Sequence, residues 1–528
     1  MDDSSLPIYD FIVVGGGTAG YVVAGRLAEN PKVKILVIEA GEGNPEDITE
    51  ITTPARAFEL RNSKHDWAYR TTFVDKPDYE RVEKSNTRGK ILGGSSSLDH
   101  FTWLRGSKST FDAWKECGGD EWTWGEGHRL REDIYNGKVE GLTHCISTLY
   151  DGIRTNSTVY LNGKDNVEYM YSSVATKINF EGEEDDTAVV SSVIVVDKSQ
   201  SPQIVLVRKE VIIAGGVFET PKLLLLSGIG PRRELARHDL QPVIHSEHVG
   251  KHLLDHPILP HVFRLKEGLG LDHILLRKGR HHDHAVEQYE RGKKGPLASG
   301  LLEMVAFPRI DERLNNYEKY LIAKEENGGK DPFGAGSQPH FEIDLIPMFC
   351  DAFQWHFSIP TEGDWLTVIV NLLHPQSKGG YVRLNSTDPR EQPDINLKYF
   401  DNDLDVLALR EGVRFIDEIL MEGDAMKDII GEDYPFPMPR ESDEEMDRFI
   451  LDRAQTGYNP CGTARLSPDI SQGVVDPELR VHGAKNLRII DASIIPVIPD
   501  CRIQNAVYMI AEKGTDMIKK AYPDWYER

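Results

Sequence analysis

One stretch, Tyr9 to Gly43 (YDFIVVGGGTAGYVVAGRLAENPKVKILVIEAGEG), constrains the fold more than any other. Phe11 to Val14 is an apolar run of the right length for a buried parallel strand. It runs directly into Gly15-Gly16-Gly17-Thr18-Ala19-Gly20, a G-x-G-x-x-G, and a helical pattern follows with Val22, Val23 and Leu27 on one side. Val33 to Ile38 is a second apolar run, ending in Glu39 and then Ala40. Strand, tight turn, helix, strand and acid, in that order, are the parts of a dinucleotide-binding βαβ unit. In this reading Gly15 permits the turn, Gly17 lets the backbone approach a pyrophosphate, and Gly20 lets the helix pack close to the sheet. The amides at the helix start, Thr18 and Ala19, face the phosphates, and Glu39 accepts from ribose hydroxyls. The competing reading is a glycine-rich turn with no ligand; both strands and the acid standing in register argue against it.

The remaining bulk properties exclude more than they assign. At 528 residues the chain is long enough for two or three domains. A formal charge of −24 argues against nucleic acid or an acidic membrane as partner, leaving a small-molecule substrate. Five scattered cysteines without C-x-x-C spacing indicate neither a disulfide framework nor a zinc site. Residues 1–8 lack the pattern of a secretory signal, and no run of eighteen apolar residues exists, so an intracellular location is expected. Acid runs over Glu181–Asp186 and Glu441–Asp447 read as solvated loops, as does His281-His282-Asp283-His284, because neighbouring loop residues point apart and make a poor metal cluster.

Further along, Arg88-Gly89-Lys90-Ile91-Leu92-Gly93-Gly94-Ser95-Ser96-Ser97 is followed by Leu98-Asp99-His100-Phe101-Thr102. Ala214-Gly215-Gly216-Val217-Phe218-Glu219-Thr220-Pro221 and Val249-Gly250-Lys251-His252-Leu253-Leu254-Asp255-His256-Pro257 come next, and Leu487-Arg488-Ile489-Ile490-Asp491-Ala492-Ser493 near the end. Together with the N-terminal fingerprint, these motifs resemble the glucose–methanol–choline (GMC) family of FAD oxidoreductases, in the family's order and over nearly the whole chain. The resemblance implies an α/β fold: a discontinuous Rossmann-like FAD-binding domain, 7–258 and 467–528, with an α+β substrate domain on an antiparallel sheet, 259–466. It implies FAD contacts at Trp67, Gly93, Asp99, His100, Thr102, Asp491, Ala492, Asn505 and Ala506, beside Gly15, Gly17, Thr18, Ala19, Gly20, Glu39 and Ala40. Strands are expected over Val167–Phe180, Ser192–Val196, Ile204–Val207, Val211–Ala214, Phe341–Ile346, Leu366–Leu373 and Gly380–Leu384, and helices over Asp403–Met421 and Asn505–Ala521.

Two departures from the family stand out. About thirty residues join Trp124 to Thr155, where the family carries a longer excursion; the resemblance resumes near Gly127-His128-Arg129-Leu130. Either the lid is short or a segment is missing. The second departure is chemical. The catalytic His of the family matches Asn459 in Tyr458-Asn459-Pro460-Cys461-Gly462-Thr463, and its second His or Asn matches Arg502. An amide does not titrate as a base, and a guanidinium stays protonated. Asn459 can orient a substrate, and Arg502 can bind a carboxylate, phenolate or alkoxide. Asp500 and Cys501 flank Arg502 and are further candidates. Some members attach FAD covalently through a His in the Leu98–Thr102 loop, but the matching position here is Leu98, so the cofactor is expected to be non-covalent. The resemblance implies oxidation of a CH–OH group of a small organic molecule, with a fungal secondary-metabolic setting; the alternative is a lyase or cyclase that keeps FAD as structure.

Overall fold

The computed structural model describes residues 6–76, 82–124, 141–184, 187–334, 336, 338–351, 353 and 357–526. Gly127–Leu130 lies outside the described residues.

The fingerprint organises one mixed sheet. Ile8–Val14 lies parallel between Ile35–Ile38 and Pro202–Ile213, and Val167–Met170 adds a further parallel strand beyond Ile35–Ile38. Phe11, Ile12, Val13, Ile35 and Val37 are fully buried, as continuous apolar strands covered on both faces should be. Past Pro202–Ile213 the sheet turns antiparallel through Thr187–Val196 and Val174–Glu184. Leu487–Ile489, from the far end of the chain, pairs parallel with Val211–Ile213. The fingerprint helix Thr18–Leu27 packs against the closing helix Gln504–Ala521, and Arg26 ties them by ion pairs to Glu512 and Asp516. Chain termini distant in sequence therefore build one nucleotide-binding unit.

A second sheet is antiparallel throughout. Its order is Ile430–Tyr434, Pro257–Leu265, Asp364–Leu372, Phe341–Ile346, Met304–Phe307 and Gly141–His144. Every residue of Asp364–Leu372 is buried, because helix Asp403–Asp417 packs across it. The helix continues as a π-helical turn, Glu418–Glu422. A third sheet joins Lys251–Leu253, Gly380–Arg383, Asp394–Asn396, Tyr69–Val74 and Val82–Asn86. The architecture is the Rossmann-like α/β unit with an antiparallel substrate-side sheet that the resemblance implies.

Several local expectations need correction. Val167–Phe180 is two strands at opposite positions in the first sheet, split after Met170. Ile204–Val207 and Val211–Ile213 belong to one twelve-residue strand, Pro202–Ile213, and Ala214 lies just past its end. The acid run from Glu181 is the end of a strand, with Gly182 in the left-handed region. His281–His284 is helical, within Arg280–Gly292, and His282 Nδ1 is spent on the Ile274 carbonyl. Asp443–Arg453 is a helix whose cap was legible: the Ser442 hydroxyl accepts from Glu445 N–H at 3.3 Å, and three acids fill the first turn. In the short 124–155 link, Gly141–His144 is the edge strand of the second sheet and Ile146–Ser147 pairs with Thr102–Trp103.

Candidate active site

Two side-chain-free walls face each other at the start of the fingerprint helix. Gly15 takes φ +105°. A Cβ on Gly20 would stand 1.9 Å from the Gly15 carbonyl oxygen, and one on Gly94 (φ +53°) would stand 2.7 Å from Gly17 Cα. No larger residue fits at these points. Gly93 N–H donates to the Gly16 carbonyl at 2.8 Å and fixes the second wall against the first. Glu39 closes the far end, accepting from Gly16 N–H at 2.9 Å and Gly41 N–H at 2.7 Å. Burial pushes its carboxyl up to about 7, against the pull of those two amides and Lys90.

Cavities of about 250 and 100 Å³ meet along these walls and share Gly17, Trp67, Gly89, Gly94, Ala214 and Gly215. The smaller ends at Glu39 and Ala40; the larger reaches Asn459 and Arg502. One continuous trough thus runs from a ribose-type acid, past glycine walls and a helix N-terminus suited to a pyrophosphate, to a wide chamber. The residues present fit FAD. Of the sequence-derived contacts, Thr18, Ala19, Asp99, His100, Thr102, Asp491 and Ala492 line the chamber with Trp67, and Gly15, Glu39 and Ala40 line the nucleotide end. Gly20 and Gly93 lie behind the walls as packing elements, while Asn505 and Ala506 sit in the first turn of the closing helix, off the lining. Asp491 braces the chamber wall, its carboxylate accepting from Gly216 N–H (2.9 Å), the Thr220 hydroxyl (2.6 Å) and Ser493 N–H (2.7 Å). Leu98 is a buried aliphatic side chain packed with Ile51, Leu60 and Ile91.

The wide chamber brings Asn459 and Arg502 together. Asn459 is held on all sides: its N–H donates to Asp255, its amide NH₂ faces the Gly457 carbonyl (3.0 Å) and His256 Nδ1 (3.3 Å), and its oxygen accepts from Ile503 N–H. Arg502 is not free. Its Nε donates to Glu342 at 2.8 Å and its Nη2 to Asp344, both carboxyls being fully buried. Asp344 also lines the chamber. Burial pushes its carboxyl up to about 7, the Arg502 guanidinium opposing and Glu342 adding. Asp344 Oδ1, Glu342 Oε2 and Asn371 Oδ1 are buried with no hydrogen-bond partner among the described residues.

His100 packs its ring on Phe58 and Phe353, at centroid distances of 4.4 and 5.5 Å. Burial, with the Arg502 and Arg154 cations, drives its pKa down to about 3, so the imidazole is neutral. Arg154 in turn clamps Asp99 at 2.6 Å. Asp500 and Cys501 do not line the chamber: Asp500 accepts from Ser107 N–H, and Cys501 packs with Leu104, Val305 and Phe307. Their side chains point away because Arg502 takes the chamber side of the turn. Sequence reasoning missed Glu342 and Asp344, although Phe341-Glu342-Ile343-Asp344-Leu345-Ile346 places both acids on one strand face.

The N-terminal GMC oxidoreductase profile matches residues 9–139 and 129–258, and the C-terminal profile matches 375–511. The chain belongs to the GMC oxidoreductase family. Pyranose dehydrogenase 3 of Leucoagaricus meleagris is 30% identical over 97% of this chain and 93% of its own length. An oxygen-dependent choline dehydrogenase of Pseudomonas syringae pv. tomato is also 30% identical, over 98% and 94%. Formate oxidase of Aspergillus oryzae RIB40, solved to follow the effect of an arginine replacement on FAD modification, superimposes with a TM-score of 0.95 and 48% identity, covering 98% of this chain and 99% of that one. GMC oxidoreductases are FAD-dependent, and the trough has the parts that FAD needs.

Proposed function

We propose that the protein is an FAD-dependent oxidase of formate or a comparably small carboxylate. The observation that carries this reading is the pairing of a non-titrating amide, Asn459, with a guanidinium, Arg502, in a chamber where an alcohol oxidase needs a proton acceptor. Formate is already ionised and has no hydroxyl proton to lose. Its C–H bond needs only to release hydride, leaving CO₂, and no base is required. Bound FAD supplies the two-electron acceptor. Arg502 offers donors to the carboxylate, Asn459 presents a fixed amide, and the His100, Phe58 and Phe353 rings keep the chamber dry, which strengthens both contacts. The 48% identity to formate oxidase supports the substrate class, and the oxidase and dehydrogenase names of the relatives support redox turnover over a lyase or cyclase. A small alcohol is the second reading, favoured by Asp344, whose carboxyl lines the chamber and is raised to about 7, in the range of a working base.

The deciding experiment mixes the yellow holoenzyme anaerobically with formate, and separately with aryl and allylic alcohols. Formate should bleach the flavin absorbance in a single turnover, and admission of air should restore it. Bleaching by an alcohol but not by formate overturns the substrate; product without bleaching overturns the redox reading altogether.

A further inference from the structure

At one side of the chamber a single cation, Arg502, binds two acids. Glu342 and Asp344 stand two residues apart on one face of a strand, are both fully buried, and both bind the same guanidinium. One carboxylate neutralises Arg502; the second charge is surplus. Two buried carboxyls this close disfavour double ionisation. Asp344 is flanked on every other side by groups that supply no compensating charge. Asn371 faces the acids from the neighbouring strand and is neutral. Cys145, beyond the strand edge, is a thiol that burial pushes up to about 12. Asp99, which also feels Arg502, is matched by Arg154. His100 is neutral. His256 and His374, past Asn459 and the end of the neighbouring strand, are both shifted down by burial. Arg502 is the only cation that meets Asp344 among the described residues.

We infer that the Glu342–Asp344 pair is a proton gate for anions: a substrate monoanion enters beside Arg502 only when the two carboxyls share one proton. This rests on the reading of the substrate as an anion. With the proton in place the trio is neutral, Asp344 relaxes its claim on Arg502, and an arm of the fork turns to the substrate. With both acids ionised the trio carries one net negative charge and repels it. The carboxyl of Asp344 is raised to about 7. Anion affinity is therefore fully present below that pH and is lost as pH rises through it, by about tenfold per unit at one proton per anion.

The test uses FAD-loaded enzyme and two probes between pH 5.5 and 8.5. Nitrate, a planar monoanion that cannot donate hydride, is titrated and read by its perturbation of the flavin spectrum; formate is read by kcat and KM. Nitrate Kd and formate KM should be flat at low pH and by pH 8.5 stand about 30-fold above that plateau, with kcat at saturation little changed. Asp344→Asn should hold both near their low-pH values across the range, whereas Asp344→Glu should keep the rise. Should Asp344→Asn fail to load FAD, Glu342→Gln removes the same surplus charge and should also flatten the profile. A flat profile in the natural protein, or an unchanged rise in both neutral variants, overturns the gate. If nitrate shows the rise but formate is not oxidised, the gate stands and the substrate falls; if formate is oxidised with a flat KM, the reverse holds.

Discussion

Arg502→Ala should be costly to the fold as well as to turnover, and the cost should depend on pH. The guanidinium is the shared partner of Glu342 and Asp344, neither of which has any exposed surface. Removing one partner from a buried pair costs about 3–5 kcal/mol, because the charge left behind has neither water nor a counterion. The stranded acids can escape by taking protons. Asp344 is already raised to about 7 with Arg502 present; without it, the opposing pull is gone and the pKa climbs further. A carboxyl whose folded pKa lies above its unfolded value near 4 loses native stability as pH rises between the two. Each trapped proton is worth about 1.4 kcal/mol per pH unit in that window, so moving from pH 8 to pH 6 should recover about 1–3 kcal/mol. Thermal melts at one scan rate, followed by tryptophan emission and by flavin release, would show it: a large loss at pH 8 and a visibly smaller one at pH 6. Arg502→Lys should fall between, since an ammonium keeps the charge but not the planar fork. A variant that melts like the natural protein at pH 8, or one destabilised more at pH 6, would refute the reasoning.

Gly20→Ala should give a protein without yellow colour, because the added Cβ meets the Gly15 carbonyl oxygen at 1.9 Å and must push the fingerprint turn out of shape; full FAD loading, measured by absorbance, would contradict it. Asn459→His should raise kcat on simple aryl or allylic alcohols by at least about tenfold, equal to about 1.4 kcal/mol of barrier, with a new rising limb in the pH profile near 6.5; the absence of both gain and limb would mean that another group already serves as base.

Much of the fold was legible because its governing signals are local. The apolar run Phe11–Val14 belongs to a strand reaching from Ile8, and Phe341–Ile346 is a strand at the residues where alternation placed it. The failures occurred where a chain segment changes role without changing character. Val167–Phe180 is apolar and β-branched enough to read as one strand, yet Ser172 and Ser173 break it, with Ser172 in the left-handed region, and send its halves to different places in the sheet. Acid-rich stretches misled in the opposite direction. The charge density of Glu441–Asp447 reads as solvation, while the spacing of Ser442 and Glu445 is that of a helix cap.

The active site shows the same division more sharply. Asn459 and Arg502 were identifiable because they interrupt a motif; their partners were not, because nothing in Phe341-Glu342-Ile343-Asp344 departs from an ordinary half-exposed strand. Alternation states that two acids share a face, but not whether that face meets water. What turns it inward is the segment Asp500–Ile503, which lies far along the chain and carries the arginine that binds both acids. Buried acids are tolerable only with a partner, so the strand's polar face and the arginine on the distant turn require each other. A guanidinium here without the acids would be an open anion trap. With them, its charge is already spent, and how much of it a substrate can use depends on the proton that Asp344 holds.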